Sequence, residues 1–136
     1  LTFDAERISL ETRFDTNWIL TPIKWPNVTL TTKSLNEWVA FSLVQDISRI
    51  AQKGSTSNVY RYFGNTVIQI FIRPFIGSAR ALELATDAAT IWRTSQFDNI
   101  TLHSPRVKNL GIVKGWYQIN LTNLYHRDSY KAVVPT

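Results

Sequence analysis

The sequence predicts an α+β domain: one antiparallel sheet of about four to five strands, with a long hairpin and two main helices packed on it. Three stretches carry that expectation. Residues 60–74 place β-branched and aromatic side chains at strand density, with Ile68, Ile70 and Ile72 on one face and Val67, Gln69, Phe71 and Arg73 on the other. From Ala79 the apolar period changes from two to about 3.6, and Ala81, Leu84, Ala85, Ala88, Ile91 and Trp92 form one stripe. So many alanines on that stripe suggest a helix lying close against a sheet. Finally, Trp116–Arg127 alternates most cleanly, with Tyr117, Ile119, Leu121 and Tyr125 opposed to Gln118, Asn120, Thr122 and His126. That polar face is solvated or lines something wet.

In chain order, Asp4 reads as the N-cap of a first helix running to about Asp15, with Ala5, Ile8 and Phe14 inward and Phe3 stapled to Ile8. Trp18–Trp25 reads as a short edge strand, because Pro22 has no N–H to give a central ladder. Pro26-Asn27 turns the chain, and the Thr-rich Val28–Asn36 reads as a loop. Trp38–Ile50 is the next strand, with Val39, Phe41, Leu43 and Ile47 on one face. The polar connector Ala51–Asn58 then makes a soft hairpin tip leading into Tyr60–Pro74. Pro74 ends that strand, Gly77 permits a turn, and Ser78 is the expected N-cap of the alanine-rich helix. Beyond it, Ser95–Asn99 turns, Ile100–Val107 forms a strand interrupted by Pro105, and Asn109–Gly115 turns again. After the aromatic strand, Ser129–Thr136 reads as a loose tail.

A chain of 136 residues is most simply one domain, 1–136, with a real core. Its 44% hydrophobic and 18% charged content excludes a disordered chain. The net charge of +5 is spread without a Lys/Arg cluster, so it gives little support for nucleic-acid binding. The absence of cysteine excludes a disulfide scaffold and a thiolate metal site. No apolar run approaches the roughly 20 residues that span a bilayer, and the start does not resemble a signal peptide. With no methionine in the chain, Leu1 is not the translational start.

The residues do not assemble an enzyme. His103 and His126 fall on separate strands without carboxylates at metal-ligand spacing, and no nucleophile elbow, phosphate loop, zincin or dinucleotide fingerprint is present. We therefore expect no catalytic residue, metal or cofactor. The candidate surface is a partner-binding one. Arg49, Lys53 and Arg61 flank the hairpin tip with Gly54 and Ser55, and suit an acidic or polar partner; a solvated loop is the plainer alternative. Trp38 and Trp116 each fit either a core cap or an interface anchor. Three Asn-x-Thr sequons, at Asn27, Asn99 and Asn120, are read as chance. A basic sheet bearing aromatics could also stack single-stranded bases, but YRYFG only loosely echoes the ribonucleoprotein motif.

The order of motifs resembles the tail terminator proteins of long-tailed bacteriophages across nearly the whole chain. The likeness rests on the N-terminal helix followed by Trp25-Pro26-Asn27 and a strand opening at Trp38. It continues through YRYFG and VIQIFIRP, the FIGS turn with the alanine-rich helix ending near Trp92, and the closing GWYQINLTNLYHRD. The resemblance implies a non-enzymatic virion protein without a cofactor. In that family a hexameric ring caps the tail tube, stops its polymerisation and presents the surface that joins the head. Its expected partners are further copies of the chain, the major tail tube protein and a head-completion or neck protein. DNA enters only as it passes through the ring, and no membrane is involved. The expected location is the virion tail or neck, with the host cytoplasm during assembly. A head-completion or neck connector is the alternative.

Overall fold

The computed structural model describes residues 2–53, 57–93 and 96–132, without the side chains at 47–53, 57–58 and 130–132. The elements are α1 (Phe3–Asn17), β1 (Ile23–Lys24), β2 (Glu37–Lys53), β3 (Ser57–Ile72), α2 (Ala79–Trp92), β4 (Gln96–Phe97), β5 (Ile100–Val113) and β6 (Trp116–Ala132). All strands join one curled, half-barrel sheet in the order β1-β2-β3-β6-β5-β4.

This corrects the expected four to five antiparallel strands. The sheet has six, and it is mixed, because β1 runs parallel to β2 with Ile23 opposite Val39. The edge strand read at Trp18–Trp25 is only Ile23–Lys24, and the member not expected is β4 at the other end of the sheet, two residues long and too short to show a period of its own. Pro22 lies just outside the ladder, and its carbonyl accepts from the Val39 amide.

One face of the sheet carries both helices. Val39, Phe41, Ile68, Ile70, Ile72, Ile119, Leu121 and Tyr125 meet Leu10 and Phe14 of α1 and the whole apolar stripe of α2 in one core. The alternation read for β3 and β6 is the one observed. The bounds of α2 are also those expected, although Ser78 sits in helical backbone and makes no side-chain cap bond.

The first helix differs. Thr2, not Asp4, is its N-cap, with Oγ1 accepting from the Ala5 amide at 3.0 Å. Its inward residues are Glu6, Leu10 and Phe14, spaced by four, whereas Ile8 is half exposed. Phe3 packs edge-on against Tyr62 instead of stapling to Ile8.

Three expected loops are strand. β2 continues to Lys53 and β3 begins at Ser57, so most of Ala51–Asn58 belongs to the ladder. Gly54 and Ser55 lie outside the described residues. The tail predicted from Ser129 pairs with β3 as far as Ala132 opposite Ser57. The span Asn109–Gly115 is mostly β5; Gly111 (φ 73°) adjoins a register shift, and only Lys114-Gly115 (φ 50° and 82°) turns the chain. Pro105 does not end β5: a register shift lies between Leu102 and Pro105, and the strand continues beyond it to Val113.

Candidate assembly surfaces and a buried polar cluster

Among the described residues, no helix lies on the second face of the sheet. Cross-strand partners place Trp38, Phe71 and Gln118 in one row on it, then Ala40, Gln69, Asn120 and Lys108, then Ser42, Val67, Thr122 and Arg106. Amides and hydroxyls dominate its middle. At one end the aromatics pack on each other: Trp38 stacks on Phe71 at 4.0 Å, Trp116 meets Trp38 edge-on, and the Arg73 guanidinium lies 4.4 Å over the Trp116 ring.

Both sides of the sheet end in a long open edge. β1 covers β2 only at Val39 and Ala40, and β4 covers β5 only at Ile100 and Thr101. Among the described residues no strand pairs with the outer side of β2 from Phe41 onward, or of β5 from Leu102 to Val113. The β5 edge is apolar in patches, with Val107, Leu110, Ile112 and Val113 all exposed. Beside its end, Phe75 is 90% exposed while its backbone is left-handed at φ 68°. A bulky residue on such backbone is strained, and strain of this kind concentrates where a surface has work to do. Ile76 is exposed next to it, and Phe75, Gly77, Ile112 and Tyr117 line one apolar recess.

The predicted contact residues are not one site. Arg49 and Lys53 lie on the hairpin strand, with side chains outside the described set. Arg61 is not at a loop. It is the Cα partner of both Arg49 and Asp128, and its guanidinium grips Asp128 through Nε at 2.8 Å and Nη2 at 3.0 Å. That hydrogen-bonded cation holds the Asp128 carboxyl below its usual range. Trp116 sits at the other end of the same ladder. Arg61 and Ile72 are eleven residues apart on β3, about 35 Å at strand rise, and Ile72 faces Tyr117.

Two groupings escaped the sequence reading. His103 and His126, assigned to separate strands, touch: His103 Nε2 lies 2.8 Å from His126 Nδ1. The second is a buried cluster around Glu6. The Arg127 Nε donates to Glu6 Oε1 at 2.6 Å, and the Tyr125 hydroxyl and Gln45 Nε2 donate to Oε2 at 2.9 and 2.6 Å. Arg127 also lies 4.2 Å over the Tyr62 ring, and its Nη1 has no hydrogen-bond partner among the described residues. Gly64 makes the cluster possible. A Cβ there would sit 2.6 Å from Tyr125 Cζ and 2.7 Å from the Val44 carbonyl oxygen, so any side chain would displace Tyr125. The available signal was the row Glu6, Leu10, Phe14, which puts a carboxylate on an apolar helix face.

No family model matches the chain, and neither does any curated protein. One solved structure, whose name carries no functional description, is similar over the whole length. It covers 100% of this chain and 99% of its own at a TM-score of 0.67 and 14% identity. At that identity the likeness shows the shared fold alone.

Proposed function

We propose that this chain is a ring-forming structural protein of a bacteriophage particle, the terminator that closes a tail tube and offers a joining surface to the head. The observation that carries the reading is the pair of open edges. β2 and β6 run one way, β3 and β5 the other. A copy rotated about an axis parallel to the strands therefore brings its β5 beside the first copy's β2 in antiparallel sense, and the ladder continues across the junction. Such a contact is heterologous: it uses two different surfaces and closes into a ring when the rotation divides a full turn. Long exposed edges otherwise invite uncontrolled pairing, so a regular occupant gives them a purpose. Six subunits is the number the resemblance implies.

The helix-free polar face suits the wall of a wet channel through which DNA passes. The hairpin tip, with Arg49, Lys53, Gly54 and Ser55, is the proposed contact to the tube or to a neighbouring subunit. Phe75 and Ile76 offer an apolar contact at the opposite end of the sheet. A head-completion or neck protein would share the ring and differ in binding heads instead of tube ends. Base stacking is disfavoured, because the face's aromatics pack on one another.

The test is the mass of the protein in solution, with electron microscopy for rings with a central hole. The Val107→Lys and Ile112→Lys variants put charges on the β5 edge, and each should be folded but monomeric. A wild-type monomer at every concentration, or rings untouched by both substitutions, would overturn the reading. Tight oligonucleotide binding by a monomer, falling steeply with salt, would favour the nucleic-acid alternative.

A further inference from the structure

His103 and His126 are brought together by an irregularity in the sheet. β5 and β6 are in register at Leu102 opposite Tyr125 and again at Pro105 opposite Asn123, so two β5 residues, His103 and Ser104, face Leu124 alone. This bulge sets the His103 ring against His126, with centroids 4.9 Å apart and planes at 52°. His103 is exposed and His126 half-buried, with Phe63 on its flank. The surroundings favour the neutral form of the His126 ring. Burial, then Arg61, then His103 lower the basicity of His126, while Asp128 opposes them from within its ion pair with Arg61. Only one proton fits between nitrogens 2.8 Å apart, so the two rings cannot both be protonated on their facing atoms.

We propose that His103 Nε2 and His126 Nδ1 form a two-nitrogen site for a borderline divalent transition ion of the zinc and nickel class. Imidazole nitrogens bind such ions at about 2.0–2.1 Å, so two of them on one tetrahedral ion stand about 3.4 Å apart. The facing atoms must separate by about half an ångström, and both rings must turn so that their lone pairs converge on the ion, which side-chain rotation supplies. Binding moves the shared proton to an outer ring nitrogen through solvent and leaves both facing nitrogens bare for the ion. Two protein ligands leave the other positions to water, so the site is open. Oxygen-seeking ions such as Mg²⁺ gain nothing from it. The ion would also clip β5 to β6 across the bulge, where the backbone ladder lapses. This site goes beyond the ring proposal, does not depend on it, and reverses the expectation from sequence that His103 and His126 hold no metal, because the fold brings the two rings together.

The experiment is calorimetric titration of protein free of any histidine tag with zinc chloride and, separately, nickel chloride, with magnesium chloride as control. The expected result is saturable uptake of one ion per chain. Its affinity should be at least about tenfold weaker in His103→Gln and in His126→Gln, since even supporting partners of a metal ligand carry effects of that size. Binding should weaken as the pH falls, because protons compete with the ion for the imidazole nitrogens. The ion should raise the melting temperature of the wild type and of neither variant. Both residues reach the surface, and each variant is compared with wild type in metal-free melts; if one is unfolded, the other decides. Absence of saturable binding, or unchanged affinity in a folded variant, would overturn the assignment.

Discussion

The two helices lie on the same face of one sheet, but they are held there by different physics. α2 buries seven side chains, four of them alanine, and its backbone therefore comes close to the strands; the polar atom it takes inside with them is the Trp92 indole nitrogen, and no charge is buried. α1 buries two hydrophobic residues, Leu10 and Phe14, and one carboxylate, Glu6. Burial of a charge is costly unless it is paired and its remaining lone pairs are filled. Here Arg127, Tyr125 and Gln45 fill them, from β6 and β2. The contrast teaches that an apolar stripe positions a helix by area and tolerates small shifts. A buried carboxylate positions it by geometry, because each donor must arrive within hydrogen-bond distance.

The largest effect should come from breaking that carboxylate's partnership. Arg127→Met leaves Glu6 buried and uncompensated, and should cost about 3–5 kcal/mol in denaturant unfolding. The double variant Glu6→Leu with Arg127→Met should recover most of it, since well-packed apolar replacements of a buried pair are often neutral or stabilising. If the double variant is as unstable as the single, the pair is not what holds α1.

A milder loss on the same side comes from Tyr125→Phe, which removes one charge-assisted hydrogen bond and should cost about 1.5–3 kcal/mol. It also has a pH signature. Burial, and then the neighbouring Glu6 carboxylate, push the Tyr125 phenol well above its ordinary value. The neutral phenol is thus favoured in the folded state. Its stabilising contribution is fully present below the unfolded pKa of about 10 and is lost as pH rises beyond it. Wild type should therefore lose stability in alkaline solution more steeply than Tyr125→Phe, as read by urea midpoints across that range. Equal slopes would show that Tyr125 is not the group responsible.

On the α2 side the corresponding probe is overpacking. Ala88 is fully buried against the sheet, and Ala88→Leu should cost about 1–3 kcal/mol by forcing the helix outward. It should leave the alkaline slope unchanged, because no titrating group is touched. A shift of that slope would mean that the two helices are coupled through the sheet.

The difference between the helices also governs what could be read from sequence. α2 was legible to its end residues, because alanine, leucine and tryptophan at helical spacing carry the same meaning wherever the chain folds. The faces of β3 and β6 were legible for the same reason. α1 was not: its inward row contains Glu6, and a glutamate ordinarily marks the solvent side. Its partner Arg127 lies 121 residues away, at a distance no local pattern can register. The expected contact residues met the same limit. Arg61 looked like a free cation beside a flexible tip, because its partner Asp128 fell in what read as the end of a strand and the start of a tail.

Local chemistry by itself determined where apolar faces lie, since alternation by two or by about 3.6 is a property of neighbouring residues. Pro22 marked the edge strand that contains β1, but tertiary structure alone decided that β1 would shrink to two residues and run parallel, and that β4 would end the other side of the sheet. It also decided which polar groups would meet: Glu6 with Arg127, Arg61 with Asp128, His103 with His126. The physical reason is one of range. Burial of an apolar side chain is favourable against almost any apolar neighbour, so its pattern can be written locally. A charge or an imidazole needs a particular atom at a particular distance, and only the folded chain supplies it.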